Sequence, residues 1–359
     1  MNLFDYLEHE RASFDEKPFS VLDATALALF CMADASKAHS LADFGAPNDP
    51  TDEAELGDIE REGRLFAKSP RFSGLAVSDF SAVFEPETHT QFAATTYIYG
   101  DEWAYVGFRG TDDSFAGWRE NFDIAVTPPI GSEVLGAEYL NAVAGHLPER
   151  LFVGGHSKGG NVATYASLYC DEAVQDRIVC VYDFDGPGFK PGLMSEQDFE
   201  PIAGRVVRLV PEEDVVGQLL DTPVPTRYVK SSAEAMGQHS PFTWLLNDEL
   251  SDFLYADGLA DSSRLTHEMM DEWLSTLEDD QWSVIIDTMF QIIENTGVSG
   301  MNEFLAGNST IADLVNKVVR NVNSQTRSII MPALTRFIRV NIRVNLRDWR
   351  RRHHGDDAE

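Results

Sequence analysis

The chain has 359 residues, enough for one large α/β domain or a domain with a substantial extension, and 43% of them are hydrophobic, so a sizeable core can be buried without a metal or disulfide. Its 59 acidic residues outweigh 28 basic ones to give a formal charge of -31, which argues against a nucleic-acid binder and does not favour docking onto anionic membranes through the general surface, because both rest on cationic contacts. Cys31, Cys170 and Cys180 are far apart and odd in number, as expected of buried thiols in a reducing compartment.

The opening MNLFDYLEHERASF places Asp5, Glu8 and Glu10 in its first turns and has no basic start followed by an apolar core, so it does not read as a signal peptide. Apolar runs throughout are broken well short of the roughly 18 residues of a membrane span, and a cytoplasmic location is expected. Residues 1–40 read as helical, above all SVLDATALALFCMADAS. Residues 43–64 are acidic and rich in breakers at their start, which predicts a surface excursion followed by a short helix.

Around Gly100-Asp101 the alternation in QFAATTYIYGDEWAYVGFRGT predicts a β-hairpin of 91–98 against 103–108. A helix over about 132–147 leads through Pro148 to a strand at 151–154, and NVATYASLYC carries the next helix. RIVCVYDFD and GRVVRLV read as strands, followed by a short strand near 226–230 and a helix after Pro241. Strands alternating with helices predict a mostly parallel sheet with helices on both faces over residues 1–250. From 255 to 359, QWSVIIDTMFQIIENTG, STIADLVNKVVRNV and RSIIMPALTRFIRVNIRVNLRDW repeat apolar residues at helical spacing, which predicts a helical extension or cap.

Residues 151–161, LFVGGHSKGGN, set Gly155-His156-Ser157-Lys158-Gly159 between a strand and a helix. In that context glycine-x-serine-x-glycine denotes a nucleophile elbow: the turn is so tight that side chains two positions either side would collide, and the serine is presented at a helix N-terminus. A serine hydroxyl needs a base and a group to orient that base. The expected chain order is serine, acid, histidine. Of the downstream histidines, His239 alone lies near the sheet-forming segment, whereas His267 sits in a helical stretch and His353 and His354 in a basic tail. For the acid, Asp214 in VRLVPEEDVVG is the first choice and Asp185 in VYDFDGPGF the second, with Glu212 or Glu213 available if the loop register differs. An oxyanion requires preorganised donors; the backbone N–H groups of Lys158 and of Thr111 in FRGTDDSFAGW are the candidates, and Arg109 reads as a structural ion-pair partner.

Taken together, FRGTDDSFAGWREN, GGHSKGGNVATYAS and LVPEEDVVG, with His239 beyond them, resemble the class 3 lipase-like branch of the α/β-hydrolases, and more closely the uncharacterised bacterial Mbeg1-like family within it. The resemblance spans roughly residues 1–245. It implies Ser157 as nucleophile, Asp214 as acid and His239 as base, with Thr111 and Lys158 lining the oxyanion hole, and hydrolysis of carboxylic esters through an acyl-enzyme. Two positions depart from the lipase pattern: Gly154 stands where lipases usually have an aliphatic residue and Lys158 where they usually have leucine. No metal or organic cofactor is expected, since cysteines and histidines never group at ligand spacing. The substrate would be a small-molecule or lipid ester. A non-catalytic binding or scaffolding protein on the same fold is the alternative, as is a peptidase or acyltransferase using the same residues.

In the last helix Arg336, Arg339, Arg343, Arg347 and Arg350 fall within an arc of about 80°, opposite Leu334, Phe337, Ile338, Ile342, Leu346 and Trp349. Such an amphipathic helix can pack on the hydrolase body, join a homo-oligomer or dock peripherally on anionic lipid. GPGFKPGLMSEQDFEP is a candidate lid.

Overall fold

The computed structural model describes residues 1–45, 56–295, 297, 298, 300, 301, 303 and 323–354. Its centre is a seven-stranded sheet: β1 (Ala76–Glu85), β2 (Thr90–Tyr99), β3 (Trp103–Phe108), β4 (Arg150–His156), β5 (Ile178–Phe184), β6 (Val206–Pro211) and β7 (Thr226–Val229) lie side by side in chain order. The first three pair antiparallel, and β3 to β7 run parallel.

Strand alternation divides the core in two. Trp103 and Tyr105 of β3, Phe152 of β4 and Tyr182 of β5 face one way, where α1 (Leu3–His9) and α2 (Val21–Phe30) cover them. Ala104, Val106 and Phe108, with Leu151 and Val153, face the other way onto α5 (Gly131–Ala144) and α6 (Lys158–Tyr169). Helices therefore cover both faces, as an α/β-hydrolase-like sheet requires. Helix α3 (Asp58–Lys68) packs beside α1 and α2, and α4 (Phe115–Val126) follows β3. Two single-turn helices, α7 (Glu172–Gln175) and α8 (Glu196–Phe199), flank β5.

The N-terminal helices are tied down by one buried carboxylate. Asp23 accepts from the Ser20 backbone N–H at 2.8 Å, closing a capping box at the start of α2. It also accepts from the Tyr6 hydroxyl and from Nε and Nη2 of Arg71, each at 2.7 Å. Arg71 is buried too and reaches four backbone carbonyls between Ala12 and Pro18, so one bidentate pair joins three segments distant in sequence.

Strand β1 is absent from the sequence reading. It is an edge strand with few buried residues, interrupted between Ser78 and Ser81 where Asp79 takes φ 54°, so no clean apolar alternation marks it. The helix expected after Pro241 is a single 3-10 turn, Pro241–Thr243. Beyond it Trp244 is pulled into a bridge with Ser231 and its indole N–H donates to the Gln238 carbonyl at 2.8 Å, which leaves the chain extended.

Among the described residues three helices follow: α9 (Asp261–Leu274), α10 (Asp279–Glu294) and α11 (Ser324–His354). Ile286, Phe290 and Ile293 of α10 pack with Val126, Trp118 and Phe122 of α4. Helix α11 lies on α9, burying Ile330, Ala333, Val340 and Val344, with the Trp273 ring 5.1 Å from that of Phe337. The apolar side identified in the sequence is only partly used: Ile338, Ile342, Leu346 and Trp349 are exposed, while Arg343 and Arg347 both pair with Glu272 of α9. The expected helix in STIADLVNKVVRNV and much of the acidic excursion lie outside the described residues. Among the described residues no helix is long and apolar enough to cross a membrane. All three cysteines are free thiols, Cys31 and Cys170 buried.

Candidate functional site

Parallel pairing brings the carboxyl ends of β3, β4, β5 and β6 together, with Phe108 opposite Gly155, His156 opposite Phe184 and Phe184 opposite Leu209. The loops leaving these ends carry Thr111, Ser157, Asp185 and Asp214, at the edge where open α/β sheets usually place their ligands.

Ser157 is the junction of β4 and α6. Its φ of 58° and ψ of -131° lie outside the regions comfortable for a residue with a side chain. The glycines around it answer to close approach: a Cβ on Gly155 would meet the Gly159 backbone at 2.4 Å, and one on Gly159 would meet the Phe108 carbonyl oxygen at 2.2 Å. The two departures from the lipase pattern also have physical reasons. A Cβ on Gly154 would lie 2.5 Å from the Tyr105 hydroxyl. The Lys158 side chain turns inward, its ammonium donating to the Gln91 carbonyl and Glu120 Oε2 at 2.5 Å each and to Gln91 Oε1 at 2.9 Å.

His239 reaches the serine from a 3-10 turn, Ala235–His239, in the loop after β7. Its Nε2 is 3.0 Å from Ser157 Oγ and its Nδ1 is 2.7 Å from Asp185 Oδ2. Asp214 Oδ2 stands farther from the same Nδ1, at 3.6 Å. With carboxylates facing Nδ1, the ring proton belongs there, and Nε2 is left to accept the serine hydroxyl proton. The direct hydrogen bond from Nδ1 is therefore accepted by Asp185, the second-choice carboxylate. Asp185 directly follows β5, takes φ 56° and has its backbone N–H bonded to the Leu209 carbonyl at 2.8 Å, which delivers its side chain under the imidazole. Asp214 sits one turn past β6 and spends Oδ2 on the Val216 N–H at 2.7 Å.

Burial works to lower the basicity of His239, but the neighbouring Asp185 and Asp214 carboxylates outweigh it and raise its pKa. Burial pushes Asp185 up to about 7. Burial also acts to raise Asp214, yet hydrogen bonds from His239 and Asp185 prevail and hold it below the ordinary range. The side-chain nitrogen of His239 and the carboxylate oxygens of Asp185 and Asp214 all lie within 4.8 Å of one another.

Of the other residues singled out, the Thr111 hydroxyl donates to Asn121 of α4 at 2.9 Å, and Gly110 before it backs onto the His156 carbonyl and Ser157. Lys158 opens α6, where backbone N–H groups have no carbonyl of their own helix to bond. Arg109 donates to the carbonyls of Cys31 and Ala33, both at 2.8 Å, a structural role. Glu213 secures the histidine loop by accepting from Gln238 Nε2 at 3.0 Å. His267 pairs with Asp271 within α9.

His156 was not singled out by sequence reasoning. Its Nε2 donates to the His239 carbonyl at 2.7 Å and its ring lies 4.7 Å from the His239 ring. Burial, followed by the field of His239, drives its pKa down to about 3, so it is a neutral strut under the histidine loop. Its place directly before the serine was the available signal. A separate cleft of about 350 Å³, lined by Ala125, Lys190, Leu220, Asp271, Leu274 and Trp282 among others, lies between α4, α9 and α10 and includes none of these site residues.

No curated protein matches the chain. Among solved structures, the crystal structure of M37 lipase is similar at 15% identity over 53% of this chain and 68% of that one, with a TM-score of 0.32. Residues 66–291, more than half of the sequence and reaching from α3 into α10, match the Mbeg1-like family, and the chain belongs to that family.

Proposed function

We propose that the protein is a serine hydrolase acting on carboxylic esters, with Ser157 as nucleophile and His239 as general base. The observation that carries this reading is His239 bridging Ser157 Oγ at 3.0 Å and Asp185 Oδ2 at 2.7 Å, the spacing that nucleophile, base and orienting acid require. As the hydroxyl attacks the ester carbonyl, its proton passes to Nε2. The alcohol leaves with that proton, and the acyl-enzyme is then hydrolysed by a water that His239 activates in the same way. The oxyanion of each tetrahedral intermediate is assigned to the backbone N–H groups of Thr111 and Lys158, at the amino end of α6.

Labelling by a fluorophosphonate probe, abolished in Ser157→Ala, together with cleavage of short p-nitrophenyl esters is the expected result. Wild-type protein that neither labels nor cleaves, beside a control hydrolase that does both, refutes it. Free Cys31, Cys170 and Cys180 support a cytoplasmic setting. Contact with a second copy or a lipid surface is assigned to the exposed stripe of α11, and loss of either contact on truncation after residue 323 is its test.

A further inference from the structure

His239 faces two carboxylates. Asp185 and Asp214 have fully buried side chains, and their oxygens stand 2.7 Å and 3.6 Å from the same Nδ1. Their donors are few. Asp185 Oδ1 accepts from the Gly217 N–H at 3.2 Å and Asp214 Oδ2 from the Val216 N–H, whereas Asp214 Oδ1 is buried with no hydrogen-bond partner among the described residues. Two ionised carboxylates so placed repel each other in a poorly solvated site, and an ionised oxygen without a donor is costly.

The surrounding charges do not relieve them. Arg208 is buried below, donating to the Gly186 and Gly217 carbonyls, and its charge is matched by Asp183 at 3.0 Å. Glu213, on the loop that holds His239, adds negative charge and is engaged with Gln238. His156, whose ring lies 4.7 Å from that of His239 and tilted by 41°, is neutral. The second carboxylate is therefore balanced by a proton, located either between the two acids or on the imidazole.

We infer that Asp185 and Asp214 act as one proton-sharing pair behind His239, holding a single proton between them near neutral pH so that the imidazole stays neutral and can accept the proton of Ser157. This rests on the hydrolase reading. Transfer of the Ser157 proton to Nε2 turns the ring into an imidazolium with charge +1, facing a pair with charge -1. Donation of that proton to the leaving alcohol restores the neutral ring, and the pair's own proton never departs. With both acids ionised, two negative charges at Nδ1 would instead hold the second proton on the ring, and base catalysis would be blocked. The elevation of Asp185 to about 7 by burial agrees with a proton held within the pair.

The experiment compares wild type, Asp185→Asn, Asp214→Asn and the double variant in kcat/KM for p-nitrophenyl butyrate from pH 5 to 9. Asparagine tolerates the positive φ at 185, and either remaining carboxylate can accept the Nδ1 proton. Each single variant is expected to lose no more than about tenfold at pH 8, and the double variant roughly 10³- to 10⁴-fold, the scale of losing the orienting acid altogether. Both single variants should keep the acidic limb close to that of the wild type, because the proton-sharing pair and a lone carboxylate each present one negative charge to the imidazole. A single variant as inactive as the double, or an acidic limb moved to lower pH by about a unit or more in both, as the loss of one of two ionised carboxylates requires, overturns the pair.

Nitrogen-15 shifts of His239 in the wild type provide a readout independent of folding of the variants: a neutral, Nδ1-protonated ring at pH 7.5 supports the proposal and a doubly protonated ring refutes it. Absence of ester cleavage and probe labelling in the wild type would defeat the hydrolase reading instead, while the nitrogen shifts would still report on the proton.

Discussion

Lys158→Met tests how the residue after the serine is held. Lys158 is 1% exposed, and its ammonium contacts Glu120 Oε2 and the Gln91 carbonyl at 2.5 Å and Gln91 Oε1 at 2.9 Å. Burial alone would strip the ammonium of its proton more easily, and Glu120 opposes this. Methionine keeps most of the volume and removes the charge, so the cost is that of leaving Glu120 buried without a cation, about 3–5 kcal/mol. Glu120 retains three donors, the Gln91 N–H at 3.1 Å and the Ser132 N–H and hydroxyl at 2.9 and 2.8 Å. Those bonds favour the lower end, about 3 kcal/mol, or roughly a hundredfold in the folded-to-unfolded ratio. Urea unfolding followed by tryptophan fluorescence measures it. Adding Glu120→Gln should recover part of the loss, since the stranded charge is then gone. A Lys158→Met protein within about 1 kcal/mol of wild type, or a double variant showing the plain sum of the two single effects, would refute the reasoning.

Glu62 on α3 is fully buried with neither carboxylate oxygen partnered among the described residues, and burial raises its pKa well above the ordinary 4.5. The folded form thus keeps a proton that the unfolded chain releases near 4.5, so stability falls as pH rises above that value and levels off beyond the folded pKa. Glu62→Met should remove this slope and raise stability at pH 8 by about 1–3 kcal/mol, read from urea midpoints at pH 5 and 8. Gly159→Ala drives a methyl to 2.2 Å from the Phe108 carbonyl oxygen; a loss of about 3 kcal/mol or more and of probe labelling is expected, and a wild-type melting temperature would contradict the packing. On α11, Ile342 is 54% exposed and Val344 1%, so Ile342→Ser should stay within about 0.5 kcal/mol of wild type while Val344→Ser costs about 2 or more; equal effects would mean that the helix lies on a different face.

Local chemistry was legible in advance. The uncharged runs QFAATTYIY and WAYVGF on either side of Gly100-Asp101 marked β2 and β3, because strands buried on both faces carry few charges, whereas β1, at the edge with its irregularity at Asp79, has little burial to display in its pattern. The strand, serine and helix could be read in order because the glycine requirement at 155 and 159 arises from atoms within a few residues and one neighbouring strand. Helix α11 was legible as amphipathic, but not which part of its circumference meets α9.

The sequence by itself determined the sheet's parallel half, the place of Ser157 at a strand-to-helix junction and the short menu of carboxylates and histidines available to it. Only the tertiary structure decided that Asp185 bonds His239 more closely than Asp214, that Lys158 points away from the site toward Glu120, and that Ile338, Ile342, Leu346 and Trp349 face outward. The reason is range: periodicity and turn chemistry act over a few residues, whereas the bonds from His239 to Ser157 and Asp185 span 82 and 54 residues and depend on loop paths that no local pattern encodes.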